Sequence, residues 1–349
     1  MVEWKKLGEV AELVRGKVIS KDYIRDYEGS YPVYSSQTAN DGVFGTIDSY
    51  MFDGDYLTWT TDGAYAGTVF RRKGKFSITN VCGLINIIDN NINQDFLYYW
   101  LSLTAKSYVL EGMGNPKLMS NVASTIKIPI PSLSEQNRIV GILDTFTASI
   151  DNLKEQIAQR RKQYEYYRDE LLDLEGKEGV EMKTLGEVCE LERGVRVVKK
   201  DLQREGIIPV YQNSLTPLGF YERSNYPEDT TFVICAGAAG EVGYSRIAFW
   251  AADDCTCIVC SPLILNKYVY NFLKVKQHLL KAQVRKASVP RLSKDVIGKQ
   301  YIPIPSLQEQ QRIVSILDTF EASIQNLEAQ LEQRQKQYDY YRNKLLTFE

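Results

Sequence analysis

The sequence predicts an α+β protein with a pseudo-two-fold internal repeat, in which two mixed α/β domains are separated by two long antiparallel coiled-coil helices. Three observations predict it: a segment that occurs twice, a heptad seam within each copy, and short β-like runs between the copies. Residues 128–175 and 302–349 are identical at 33 of 48 positions at a constant offset of 174. The openings of the two halves, 2–16 and 180–194, share 11 of 15 residues. Between these frames the halves diverge, and only fragments correspond. Pro32-Val33-Tyr34 matches Pro209-Val210-Tyr211, and Gly63–Gly67 matches Gly237–Gly240. The expected boundaries are 1–127 for the first domain and 128–179 for a shared segment with the first long helix. The second domain then takes 180–301, and the second shared segment takes 302–349.

In chain order, the first domain offers β-like runs at Tyr56–Thr60 and Val81–Ile88, set between Gly- and Asn/Asp-rich turns, and a helix near 94–111. Its shared segment opens Ile-Pro-Ile-Pro-Ser-Leu, where proline blocks helix and favours extended chain. Ser132 can then cap a helix, with Glu135 three residues on to complete a capping box. Ser306 and Glu309 repeat the arrangement. Apolar residues follow at steps of four and three. In the first copy they are Ile139, Leu143, Phe146, Ile150, Leu153 and Ile157, resuming at Tyr164. In the second they are Ile313, Leu317, Phe320, Ile324, Leu327 and Leu331, resuming at Tyr338. That seam argues for a coiled coil. Thirteen of the 15 differences between copies lie off it. Arg160 and Arg334 hold its one charged position; such a residue either snorkels its head to solvent or fixes register. A helix from Ile313 to Phe348 would run about 54 Å at 1.5 Å per residue. The second domain has β-like runs at Thr230–Ile234 and Cys257–Cys260 and a helix near 266–286.

The chain's 349 residues suffice for two domains with their own cores, and 44% hydrophobic with 25% charged residues is an ordinary globular composition. No signal-peptide run and no stretch of about 18 apolar residues is present, which predicts no membrane. Six cysteines without a secretory signal fit a reducing cytoplasm. Net charge is −2 overall but uneven: −1 in the first domain, +4 in the second, −3 and −2 in the shared segments. Positive charge concentrates at Arg71, Arg72, Lys73 and Lys75, expected as a tight turn around Gly74. It concentrates again at Arg193, Arg196, Lys199 and Lys200, and at Arg285, Lys286 and Arg291. Such patches suit phosphates, while Ser35, Ser36 and Gln37, and Gln212, Asn213 and Ser214, suit base edges. Trp59, Thr60, Thr61, Lys117 and Arg246 complete the candidate contact set.

Catalytic signatures are missing. One histidine, His278, excludes a histidine-based triad or metal cluster. Cys255, Cys257 and Cys260 lack the fourth ligand and paired knuckle of a zinc site, so they read as small hydrophobes. No P-loop, AdoMet pocket or Asn/Asp-Pro-Pro-aromatic motif occurs, and no cofactor or metal is expected on this chain.

The motif Ile-Pro-Ile-Pro-Ser-Leu-x-Glu-Gln-x-Arg-Ile-Val-x-Ile-Leu-Asp occurs twice, each time after a divergent domain and heading a long helix. With Leu7-Gly8-Glu9-Val10, Leu185-Gly186-Glu187-Val188, Asn115-Pro116-Lys117-Leu118 and Val289-Pro290-Arg291-Leu292, the chain resembles Type I restriction–modification specificity subunits. The resemblance covers the whole chain and is weakest inside the two domains. It implies that each is a target-recognition domain reading one half of a bipartite, asymmetric site in double-stranded DNA. The helices would rule off the unread spacer. Two methyltransferase subunits bringing AdoMet would dock on the shared helices, and restriction subunits with ATP- and Mg-dependent translocation would join them. This chain would be a non-catalytic subunit. The alternative is a coiled-coil scaffold that never reads DNA.

Overall fold

The two shared ends of each half clasp one another. β1 (Glu3–Lys6), from the shared opening, pairs antiparallel with β8 (Lys127–Ile130), from the Pro-rich entry, with Trp4 opposite Pro129. In the second half β9 (Glu181–Thr184) pairs with β17 (Tyr301–Ile304) in the same way, Met182 opposite Pro303. A two-stranded ribbon tolerates these prolines because it has an unpaired edge. The Leu-Gly-Glu-Val motif follows as one helical turn whose leucine and valine are buried. Its glutamate accepts the backbone N–H three residues back at 2.6 Å, Glu9 from Lys6 and Glu187 from Thr184.

The structure is a computed structural model that describes every residue except Met1, Gly112, Met113, Lys199, Asp201, Ala287 and Glu349. It divides into unit 1, Met1–Asn152 with Leu331–Glu349, and unit 2, Leu153–Gln330. Among the described residues no helix is long and apolar enough to cross a membrane.

Unit 1 holds a six-stranded sheet of β2 (Ala11–Arg15), β3 (Glu28–Tyr34), β4 (Val43–Ile47), β5 (Phe52–Thr60), β6 (Val69–Ile78) and β7 (Cys82–Ile87). Its order is β2-β7-β5-β6-β3-β4, and only β3 and β6 run parallel. A helix at Gln94–Thr104, capped by the Asn93 side chain, closes the core with Phe96 and Leu97. The same core takes Ile139 and Leu143 from the first long helix and Leu346 from just beyond the second.

Unit 2 repeats this path with different residues. β10 (Cys189–Arg193), β16 (Cys255–Cys260), β13 (Thr230–Ile234) and β14 (Val242–Ser245) lie in the order β10-β16-β13-β14, matching β2-β7-β5-β6. β11 (Ile208–Tyr211) and β12 (Gly219–Tyr221) stand for β3 and β4. The one long strand β6 is replaced by β14 and by β15 (Trp250–Ala251), which alone pairs parallel with β11. One sheet therefore becomes two. The expected helix at 266–286 forms as Asn266–Val275 and Gln277–Ala282.

The long helices are Leu133–Leu172, of 40 residues, and Leu307–Leu345, of 39. Within unit 1 the Phe146 ring stacks on Tyr341 at 5.3 Å, and Ile139 and Leu143 share a core with Leu346. Within unit 2 Tyr167 stacks on Phe320 at 5.5 Å, and Arg161 pairs with Glu328 at 2.5 Å. In both units one helix ascends as the other descends, so the helices are antiparallel. At the charged seam position each arginine, half-exposed, reaches a ring of the other long helix. Arg160 lies 5.9 Å over the Phe320 ring and Arg334 5.7 Å over the Phe146 ring, the same cation–π contact twice. The expected capping boxes are half present. Ser132 and Ser306 accept the Glu135 and Glu309 N–H groups at 3.3 and 3.2 Å, but each glutamate turns to an arginine one helical turn on, Arg138 or Arg312.

A shared glutamine bolts each long helix to its domain. Gln136 is fully buried, donating to the Asn91 and Pro131 carbonyls and accepting from the Asn93 N–H at 2.8 Å. Gln310 does the same with Leu263, Pro305 and Leu265. Each thereby holds the residue that starts the domain helix.

Candidate nucleic-acid interface

β2 and β10 each end in Arg-Gly, and backbone crowding dictates the glycine. A Cβ on Gly16 would lie 2.1 Å from the Ile78 carbonyl oxygen, and one on Gly194 2.2 Å from that of Ala252. Only glycine permits that approach. The preceding arginines are thereby held at the sheet end. Arg15 donates to the Asn80 carbonyl and to the Thr61 hydroxyl at 3.4 Å, and Arg193 donates to the Asp253 carbonyl at 2.7 Å.

Two segments far apart in sequence meet beside each arginine. Gly63 donates to the Pro116 carbonyl at 3.0 Å, and Leu118 donates to that of Thr61 at 2.9 Å. In unit 2 Gly237 donates to Pro290 at 3.2 Å, and Leu292 to Cys235 at 2.8 Å. Lys117 and Arg291 are consequently carried at the same place in each domain, opposite Asp62 and Ala236. Both small-residue loops begin and end on glycines with φ between 79° and 91°, a conformation that side chains disfavour.

The expected base readers of unit 2 join this ledge, whereas those of unit 1 bond elsewhere in their sheet. The Thr79 hydroxyl donates to Ser35 at 3.1 Å, and the Gln37 amide donates to the Val43 carbonyl within its own loop. Ser36 beside them is half-buried. In unit 2 the Asn213 carbonyl accepts from Ala238 at 2.9 Å, Gln212 donates to Asp254 at 3.3 Å, and Ser214 donates to Thr216. Arg193, Asp254, Arg291 and Lys294 line one small cavity of about 190 Å³ there. Arg193, Arg196, Lys200, Arg285, Lys286 and Arg291 are all exposed, and none of them is ion-paired among the described residues. Lys199 lies outside the described residues.

Other candidates are corrected. Arg71–Lys75 is not a turn: it lies inside β6, with Gly74 opposite Gly54 of β5. Arg72 is buried, bonded to Thr58 at 3.2 Å and Asp41 at 2.7 Å, 3.6 Å over the Tyr34 ring. Burial pushes the neighbouring Cys82 thiol up to about 12, although Arg72 pulls it the other way. Arg71 pairs with Asp95 at 2.7 Å and with Asp144 of the first long helix at 3.2 Å. Arg246 pairs with Glu321 at 3.1 Å and Asp318 at 3.7 Å, so both arginines tie a domain to a helix. Trp59, Thr60 and Thr61 are buried, with the Trp59 indole N–H bonded to the Leu118 carbonyl at 2.9 Å. Trp59 and Thr60 lie in β5, while Thr61, just beyond it, accepts from Arg15 and Leu118 at the ledge. Lys73 and Lys75 remain exposed, Lys75 over the Tyr50 ring. Sequence reasoning missed Arg15 and Lys294. The match between Arg15-Gly16 and Arg193-Gly194 in the repeated openings could have found the first. Cys255 and Cys257 are fully buried, and burial raises both thiols.

Comparison with known proteins gives one answer. The family model for the Type I restriction modification DNA specificity domain matches residues 1–160 and 177–334. A Mycoplasma pneumoniae protein named as a type I specificity subunit is 32% identical, spanning 98% of this chain and 97% of its own. A Haemophilus influenzae protein named as a type I restriction enzyme specificity subunit is also 32% identical, over 99% of this chain and 96% of its own. The crystal structure of a type I restriction–modification S subunit from M. genitalium shares the fold at a TM-score of 0.75 and 20% identity. It covers 100% of this chain and 97% of that one.

Proposed function

Since the chain belongs to the Type I restriction–modification DNA specificity family, we propose that its two α/β domains each read one half of a bipartite, asymmetric site in double-stranded DNA. One observation carries the reading. Both units build the same ledge from the same backbone hydrogen bonds, with an Arg-Gly step in each, yet differ in the loops of their interiors, 35–37 against 212–214. A common mount with exchangeable side chains suits two readers of different sequences.

The shared helices would dock two methyltransferase subunits, one on each copy of the repeat, and through them restriction subunits. Exposed Tyr166 and Tyr340, equivalent in the repeat, suit such contacts. AdoMet, ATP and Mg would reside on those partners, and this chain would supply sequence choice without chemistry of its own, in the cytoplasm. Replacing residues 17–114 by the interior of another specificity subunit tests it. Sequencing of methylated adenines should show one half-site changed and the other retained. Two changed half-sites would mean the domains do not read independently, and unchanged methylation would favour a scaffold that never reads DNA.

A further inference from the structure

Arg15 with Lys117, and Arg193 with Arg291, occupy the same positions in domains whose interiors differ almost throughout. An arginine present in both readers, with a cation of either kind beside it, carries no information about which sequence is read. Resting on the DNA reading above, we infer that these two pairs are one phosphate clamp built twice, a sequence-independent grip on the strand that flanks the reading loops. Duplex half-sites of any sequence share the sugar-phosphate backbone, and arginine and lysine are its usual contacts.

The structure distinguishes these cations from three other arginines of the candidate set. Arg71, Arg72 and Arg246 are tied into ion pairs or the core. Arg15, Lys117, Arg193 and Arg291 are exposed. Among the described residues only Lys117 has a carboxylate partner, Asp62, at 3.9 Å. The mounts are stiff: Arg15 and Arg193 are the last residues of a strand, each followed by a glycine that nothing larger can replace. Lys117 and Arg291 sit on segments held by backbone hydrogen bonds to the sheet. Stiffness lowers the cost of ordering long side chains on contact. In unit 2 Lys294 adds a third cation to the cavity, outnumbering Asp253 and Asp254, and Asp254 is already engaged by Gln212.

The test uses the chain in complex with its methyltransferase partner and a mixed-sequence duplex, titrated over a series of salt concentrations. Arg15→Gln with Lys117→Gln, and Arg193→Gln with Arg291→Gln, should each flatten the dependence of log K on log salt by about 1.8, since each phosphate contact contributes ~0.9. Bases preferred in selection from a randomised duplex pool should stay unchanged. Arg15→Lys and Arg193→Lys should keep the slope. Arg15 also braces Thr61, so Lys117→Gln and Arg291→Gln alone provide variants without that risk to folding, each expected to remove about half the effect. A preserved slope in all of them, or a changed base preference, overturns the clamp while leaving DNA reading intact. Failure of the wild-type complex to bind any duplex overturns both.

Discussion

Arg72 is a cation inside a domain core, and its surroundings make that tolerable. Tyr34 and Phe70 lie on its guanidinium, Thr58 accepts from Nε, and Asp41 reaches in from a loop to pair with it. Asp41 is itself 70% exposed, so removing the arginine strands no buried charge. Arg72→Ala should therefore cost the lost packing, about 2–3 kcal/mol, measured by chemical denaturation. DNA affinity at any salt should change only as far as folding does. A reduced salt slope at full stability would instead make Arg72 a phosphate contact. In sequence the same residue reads as part of a basic turn, because charge is visible there and the partners at positions 34, 41 and 58 are not.

Elements were legible where period alone decides them. The seam of the long helices follows from spacing, and its residues from Ile139 to Tyr164 and from Ile313 to Tyr338 are buried or half-buried. β13 forms over Thr230–Ile234 as its β-branched run suggests. Illegible were the devices that join elements. Gln136 and Gln310 look like ordinary polar helix residues, yet each satisfies three backbone groups that would otherwise lie unpaired. Gln310→Leu should destabilise unit 2 by about 1–3 kcal/mol, the cost of orphaned buried groups, with Gln136→Leu doing the same to unit 1. Hydrogen exchange resolved by unit would show it; equal loss in both units from one substitution would contradict the local role. The candidate ledge was half legible. Gln37, Gln212, Lys117 and Arg291 were singled out by matching fragments, whereas the burial of Trp59–Thr61 was not visible, because a β-like run does not show in sequence what packs over it.

Each copy of the repeat supplies one long helix, and the heptads continue unbroken through the charged position. If they set the gap between half-sites, insertion in whole heptads should be tolerated. Seven residues between Leu153 and Arg160, and seven between Leu327 and Arg334, would lengthen each helix by about 10 Å. The methylated half-sites should then stand roughly three base pairs further apart, at about 3.4 Å per base pair. Retained methylation at the original gap would show that the helices do not set it. Insertion of four residues, which rotates the seam, should abolish activity.

Unit 1 draws its core from both ends of the sequence: Leu346 and its neighbour Phe348 pack with Phe96 and Trp100. During synthesis those partners are separated by all of unit 2, residues 153–330. At about 5–20 residues per second the first domain waits on the order of 10–35 s for them. Unit 2 is contiguous and has its whole core available sooner, so the half that begins first on the ribosome is completed last. Through that interval the apolar groove destined for Leu346 stays open in the nascent chain. It is a stage at which chaperones can bind and truncated products can aggregate.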